Sequence, residues 1–302
     1  MTLFHPLRGL ALLATLALVQ PILSAPAHCA TPVTAPARFT ATVTGKGPDV
    51  ILIPGLASSA HVWDATVAQI SQTNRVHVIQ VAGFAGSPAG PNATGPVLQP
   101  LVDDIQAYIL ANHLKAPAVI GHSMGGLAGM MLAADHPADV GKLMIVDSLP
   151  WVGMMFGPGA TPAALTPRIA AMRDAVVAGT QEAYAAAEPA QMARLIKSTG
   201  PAAQAAIAAA SASDHRVVGQ AIADDFGTDM RPRLATIQAP VTMLYPWDAT
   251  SGVPQAAFDA LYTGAFASLP HKTVKRIDGS YHFIMIDQPS AFAAEVDAFL
   301  GK

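Results

Sequence analysis

Short apolar runs separated by helix-compatible stretches constrain this chain more than any other feature. The runs are DVILIPG (49–55), RVHVIQVAG (75–83), APAVIGHS (116–123), GKLMIVDS (141–148), APVTMLYPWD (239–248) and TVKRIDG (273–279). Most are short, β-branched and bounded by Gly, Pro or Asp, which marks them as strands. Continuous apolarity, without polar alternation, belongs to strands of a sheet covered on both faces. The stretches at 61–72, 100–113 and 124–136 predict helices. Such alternation implies the α/β class, with a mostly parallel central sheet flanked by helices. RFTATVTG (38–45) predicts an antiparallel edge strand that leads in as a hairpin.

The alternation lapses over 151–234. This region is rich in alanine, centres on AGTQEAYAAAEPAQMARLIKS and carries no strand signal. Met192, Leu195 and Ile196 supply an apolar face. Lying between two strands, it predicts a helical lid inserted into a core of 38–150 and 235–302. The alternative is a helical domain without catalytic relevance. An apolar fraction of 52% against 12% charged residues gives enough apolar surface for a large core and excludes disorder. The net charge is -3 and no basic block stands out, so nothing points to nucleic acid.

The N-terminus predicts export. Arg8, the apolar run GLALLATLALV and then Ala25-Pro26-Ala27 have the order of a secretory signal peptide, 1–27, cleaved after Ala27. The run is interrupted too early for a transmembrane helix, which needs about 20 apolar residues. An uncleaved anchor is the alternative. Cys29 is the single cysteine and so forms no internal disulfide. His28 and Pro26 stand where a lipoprotein signal wants a small residue and Leu.

Gly121-His122-Ser123-Met124-Gly125 reads as G-x-S-x-G between an apolar strand and a helix. On such a tight strand-to-helix turn the serine backbone is strained and its Oγ exposed, while flanking glycines keep side chains out. Ser123 is therefore a candidate nucleophile; the bland reading is a glycine-rich packing turn. A serine needs a base and an orienting acid. His282, shortly after the last strand, is the base candidate; His77, within a strand, reads as a core or face residue. Asp248 ends the strand before the last and is the preferred acid, with Asp147, at the end of the strand after the serine, as runner-up. The backbone N–H groups of Leu56 and Met124 are the candidate oxyanion donors. Ser58 and Ser59 read as helix caps. No metal-ligand cluster, H-E-x-x-H or phosphate-binding loop is visible, so neither metal nor cofactor is expected.

These segments together resemble the α/β-hydrolase fold, in its serine hydrolase group with a helical lid. IPGLASSAHVWD, closed by Trp63, is similar to the family's H-G loop, VAGFAGSP to its D-x-x-G-x-G-x-S segment, GHSMGG to its nucleophile elbow, and SYHFIMIDQP to its histidine segment. The resemblance covers about residues 38 to 300. It implies a triad of Ser123, Asp248 and His282. Pro54 stands where the family usually has His, and Pro246-Trp247-Asp248 replaces its usual Gly-x-Asp.

The expected reaction is hydrolysis of a small or medium carboxylic ester, thioester or lactone through an acyl-enzyme. A serine at 123, where some relatives carry a carboxylate, argues against dehalogenase and epoxide hydrolase chemistry. Trp151, Met154, Met155 and Phe156 are the candidate substrate-facing residues of the lid; the alternative is that they only pack the lid onto the sheet. No Arg or Lys cluster lies near the motifs, which disfavours a highly anionic CoA ester, although Arg168 and Arg173 are within the lid. A C–C bond hydrolase or a cofactor-free haloperoxidase would use the same triad. A non-catalytic binding module on this fold is the reading from another class.

Overall fold

The structure is a computed structural model that describes residues 38–157 and 159–302. The predicted signal peptide, 1–27, and Cys29 lie outside the described residues. Chain order runs β1 (Phe39–Thr44), β2 (Asp49–Ile53), α1 (Asp64–Ile70), β3 (Arg75–Val81), α2 (Leu98–Ala111), β4 (Ala118–His122), α3 (Met124–Asp135) and β5 (Lys142–Val146). Helices α4 (Pro162–Val177), α5 (Gln181–Met192), α6 (Pro201–Ser211) and α7 (His215–Gly227) follow. The chain closes with β6 (Val241–Trp247), α8 (Gln255–Ala265), β7 (Lys272–Asp278), α9 (Ile284–Asp287) and α10 (Pro289–Leu300).

The strands form one sheet in the order β1-β3-β2-β4-β5-β6-β7. All neighbours are parallel except β1, which runs antiparallel to β3. Each of the six apolar runs became a strand. The edge strand also formed, but not as a hairpin, because β1 pairs with β3 and β2 passes inside it. Ile51, Leu52 and Ile53 of β2 and Val119 and Ile120 of β4 are fully buried. Burial on this scale stabilises by about 1.5–3 kcal/mol per side chain and makes the centre of the sheet a rigid platform. His77 is a core residue, bonded to Tyr108 at 2.8 Å and Asp49 at 3.0 Å.

Chain order reverses between β2 and β4, which are neighbours although β3 separates them in sequence. At such a switch point the loops leaving the strand ends diverge and open a crevice. The loops that leave here are 54–59 and the turn at Ser123.

Helices α4 to α7 occupy the region between β5 and β6 where no strand was expected. Thr161, Thr180 and Asp214 cap α4, α5 and α7 by accepting from backbone N–H groups. The α4 helix packs against α7, and α5 against α6. Among the described residues no helix is long and apolar enough to cross a membrane.

Candidate active site

Ser123 sits between β4 and α3 with φ 53 and ψ −125. A non-glycine residue there carries about 1–3 kcal/mol of strain, which the surroundings must hold in place. They do so by close backbone approach. A Cβ on Gly121 would lie 2.2 Å from the Gly125 carbonyl oxygen, and one on Gly125 would lie 2.3 Å from that of Ile53. A Cβ on Gly126 would lie 2.8 Å from Ser148 Cβ. Only glycine fits at these three points. The Ser123 N–H donates to Val146 O at 3.0 Å, and its carbonyl accepts from Gly126 and Leu127.

The expected Asp248–His282 pair is not formed. His282 Nδ1 lies 2.6 Å from Asp147 Oδ2. Asp147 follows β5 with φ 44, and its N–H donates to Leu244 O at 2.8 Å. Its other oxygen accepts from the Tyr262 hydroxyl at 2.5 Å. Burial and the neighbouring Asp147 charge push the Tyr262 phenol well above its usual pKa, so it stays a donor. A carboxylate only accepts, so in the neutral imidazole the proton sits on Nδ1 and the lone pair on Nε2.

Asp248 is engaged elsewhere. Its Oδ2 accepts from Lys197 Nζ of the helical insertion, and its Oδ1 from the Thr250 hydroxyl and, at 2.8 Å, the Thr250 N–H. The Lys197 ammonium, then the Thr250 donors, hold its carboxyl down to about 2. Tyr281, not His282, reaches this strand end, its hydroxyl 2.7 Å from Thr250 Oγ1. The loop after β7 is set by Gly279 N–H on Trp247 O and Tyr281 N–H on Asp287, both at 2.8 Å. That path carries the next residue, His282, over to Asp147.

His122 is a site residue that sequence reasoning missed. It is fully buried, and its Nε2 lies 3.0 Å from the His282 carbonyl oxygen. Burial, then the neighbouring His282, keeps it well below the usual histidine pKa. It is therefore a neutral donor that ties the elbow to the histidine loop. Its ring lies 4.5 Å from that of His282. Ser123 thus has a neighbour bonded to each flank of the site: Val146, just before Asp147, and His122, on His282. No hydrogen bond among the described residues joins His282 to Ser123 Oγ; the imidazole bonds Asp147.

The loop after β2 approaches as expected. A Cβ on Gly55 would come within 3.0 Å of both Ser123 Cβ and His122 Nδ1. The Leu56 and Met124 N–H groups, on either side of this approach, have no acceptor among the described residues. Ser59 caps the short helix Ala60–Trp63 by accepting from His61 N–H at 3.1 Å. Ser58 does not cap; its hydroxyl donates to Leu56 O at 3.3 Å.

The four residues expected to face substrate are not one surface. Trp151 is fully buried, donates from Nε1 to Phe226 O at 3.0 Å and lies under Arg231. It ties α7 to the segment after β5, a packing role. Met154 is partly buried against the core. Met155 is 66% exposed, and Phe156 is exposed beneath the Arg168 guanidinium. Among the described residues no group of His, Cys, Asp and Glu is arranged to hold a metal.

The insertion reaches the site from above. Phe283 N–H bonds Leu195 O, Lys197 and Ser198 N–H groups bond Asp287, and Ser213 Oγ donates to Ala57 O. The segments bearing His282 and Leu56 are therefore both in contact with it.

The chain is similar to known proteins. A pimeloyl-[acyl-carrier protein] methyl ester esterase of Vibrio atlanticus is 33% identical over 108 residues, 36% of this chain and 39% of that protein. A putative carbamate hydrolase RutD of Yersinia enterocolitica is 30% identical over 101 residues, 33% of this chain and 36% of that protein. The matched part thus spans well under half of these relatives. The enol-lactonase from Burkholderia xenovorans LB400 superposes with a TM-score of 0.70 at 20% identity, covering 87% of this chain and 96% of that one. A hydrolase from Pseudomonas aeruginosa PA01 gives 0.71 at 22% identity, covering 87% and 94%. Residues 50–295 match the alpha/beta hydrolase family along most of the chain's length, and the chain belongs to that family.

Proposed function

We propose that this protein is an exported serine hydrolase that cleaves a small or medium carboxylic ester, thioester or lactone. Ser123 is the nucleophile, His282 the base and Asp147 the orienting acid. The observation that carries the reading is the 2.6 Å His282–Asp147 contact beside a serine held at positive φ. Ser123 Oγ attacks the carbonyl carbon while His282 Nε2 takes its proton. The developing oxyanion accepts from the Leu56 and Met124 N–H groups, which have no acceptor among the described residues. His282 then protonates the leaving alcohol, and water hydrolyses the acyl-enzyme by the same route. The Ser123–His282 hydrogen bond closes when substrate displaces solvent, as such contacts tighten in the Michaelis complex. Helices α4 to α7 act as the lid, supported by their bonds to the loops bearing Ala57, Phe283 and Asp287. The ester and lactone chemistry in the relatives' names agrees with this class of substrate. Export rests on the N-terminal pattern of Arg8, an apolar run and Ala25-Pro26-Ala27.

A fluorophosphonate probe tests the nucleophile. The expected result is one covalent adduct, mapped by peptide mass to Ser123, absent in Ser123→Ala and slowed in His282→Ala. A folded protein that takes no adduct, or takes it elsewhere, would favour a binding module on this fold.

A further inference from the structure

Two neighbouring carboxylates near the end of α7 have opposite fates. Asp224 accepts from the Val97 and Leu98 N–H groups, at 2.5 and 3.0 Å, and so binds the start of α2. Asp225 is 6% exposed, and its carboxyl has no hydrogen-bond partner among the described residues. Its oxygens are also not sealed in, unlike Trp63 Nε1 and His122 Nδ1, the buried unpartnered atoms among the described residues. A buried carboxyl without a partner is costly and so needs an explanation.

Its place supplies one. The turn after α7 docks on the segment that follows Asp147: Phe226 O accepts from Trp151 Nε1, and Met230 N–H donates to Pro150 O. This ties the end of α7 to the segment just after Asp147. Burial raises the Asp225 carboxyl, His282 opposes that and Asp224 adds to it, so both lie within electrostatic reach. The Arg231 guanidinium is already committed to Asp229. Among the described residues no Lys or Arg side chain bonds Asp225.

We propose that Asp225 is a specificity-determining residue that meets a hydrogen-bond donor, a hydroxyl, amide N–H or ammonium group, on the substrate held under the lid. Both forms of a carboxyl keep an acceptor oxygen, so such a donor is met whether Asp225 is neutral or ionised. A purely alkyl substituent leaves the carboxyl desolvated and unpaired, and an anionic one repels it once ionised. The inference rests on the site assigned above and narrows its substrates to esters polar near the scissile carbonyl.

The test compares isosteric esters. On the acyl side they are methyl butanoate, methyl β-hydroxypropanoate and β-alanine methyl ester; on the alcohol side, propyl acetate and hydroxyethyl acetate. Binding to Ser123→Ala by calorimetry is independent of turnover, and kcat/KM ratios within one preparation are independent of its active fraction. The expected result is that a donor-bearing ester exceeds its alkyl isostere by about tenfold on at least one side. Asp225→Asn should keep the hydroxyl preference and reduce the ammonium one; Asp225→Leu should abolish both. A preference that survives Asp225→Leu, or no preference in the parent by either readout, overturns the inference. Loss of turnover in Ser123→Ala without donor preference would sink this inference alone. Donor-selective binding without turnover in the parent would sink the catalytic reading alone.

Discussion

Asp147→Asn is expected to lower kcat/KM for an activated ester about 10⁴-fold, and Asp248→Asn by less than about tenfold. An asparagine at 147 turns an amide N–H toward His282 Nδ1 or offers a weaker acceptor. Either way the imidazole loses the tautomer that leaves its Nε2 lone pair facing the nucleophile. Tyr262 remains to hold the new side chain, so the fold should survive. Asp248→Asn removes a carboxylate held by Lys197 and Thr250. That loosens a contact between the insertion and the sheet, and its effect belongs to KM and to substrate entry. Steady-state kinetics of the two purified variants decide the matter, and the reverse ranking would move the acid to Asp248.

The second large effect concerns stability and pH. Burial, opposed in part by His282 and reinforced by Asp224, raises the Asp225 carboxyl from 3.8 to about 7. Below the unfolded value the group is neutral in both states and costs nothing. Between the two values the unfolded chain releases the proton and the folded chain keeps it, so stability falls as pH rises. Above the folded value the loss is complete and constant. At 1.36 kcal/mol per unit, the full loss is on the order of 4 kcal/mol. Asp225→Asn removes this titration. Relative to the parent, the variant should gain that stability progressively between about pH 4 and pH 7. Urea melts of both proteins across that range measure it. A difference that does not change with pH would show that the carboxyl is ionised or solvated in the folded protein.

Much of the architecture could be read from local pattern, because β-branched apolar runs and glycine punctuation act locally. The runs at 49–55, 75–83, 116–123, 141–148, 239–248 and 273–279 carry their strand character in their own residues. The glycines of 121–126 carry the requirement for close approach in the same way. Partner choice is less local. Nothing in RFTATVTG distinguishes pairing with β2 from pairing with β3. Asp147 and Asp248 both end parallel strands, so the strand ends alone do not separate them. The path of residues 279–282 and a lysine from the insertion, Lys197, decide between them, and both are tertiary effects. His122 was visible only as a neighbour of the serine, since its role depends on a carbonyl 160 residues away. Asp225 lay in an alanine-rich segment whose buried face exists only after α7 docks near Trp151. The apolar stretch 151–156 read as one surface but divides in the fold, because Trp151 turns under the insertion and Met155 turns out.

If Ser123 is the nucleophile of a working esterase, turnover depends on its hydroxyl. The most direct test is hydrolysis of p-nitrophenyl acetate and butyrate by the purified protein beside Ser123→Ala, both checked for folding by circular dichroism. The expected result is turnover in the parent, reduced about 10⁶-fold or to background in the variant. Equal rates in the two folded proteins would rule out Ser123 as the nucleophile, leaving a hydrolase elbow with no hydrolase around it.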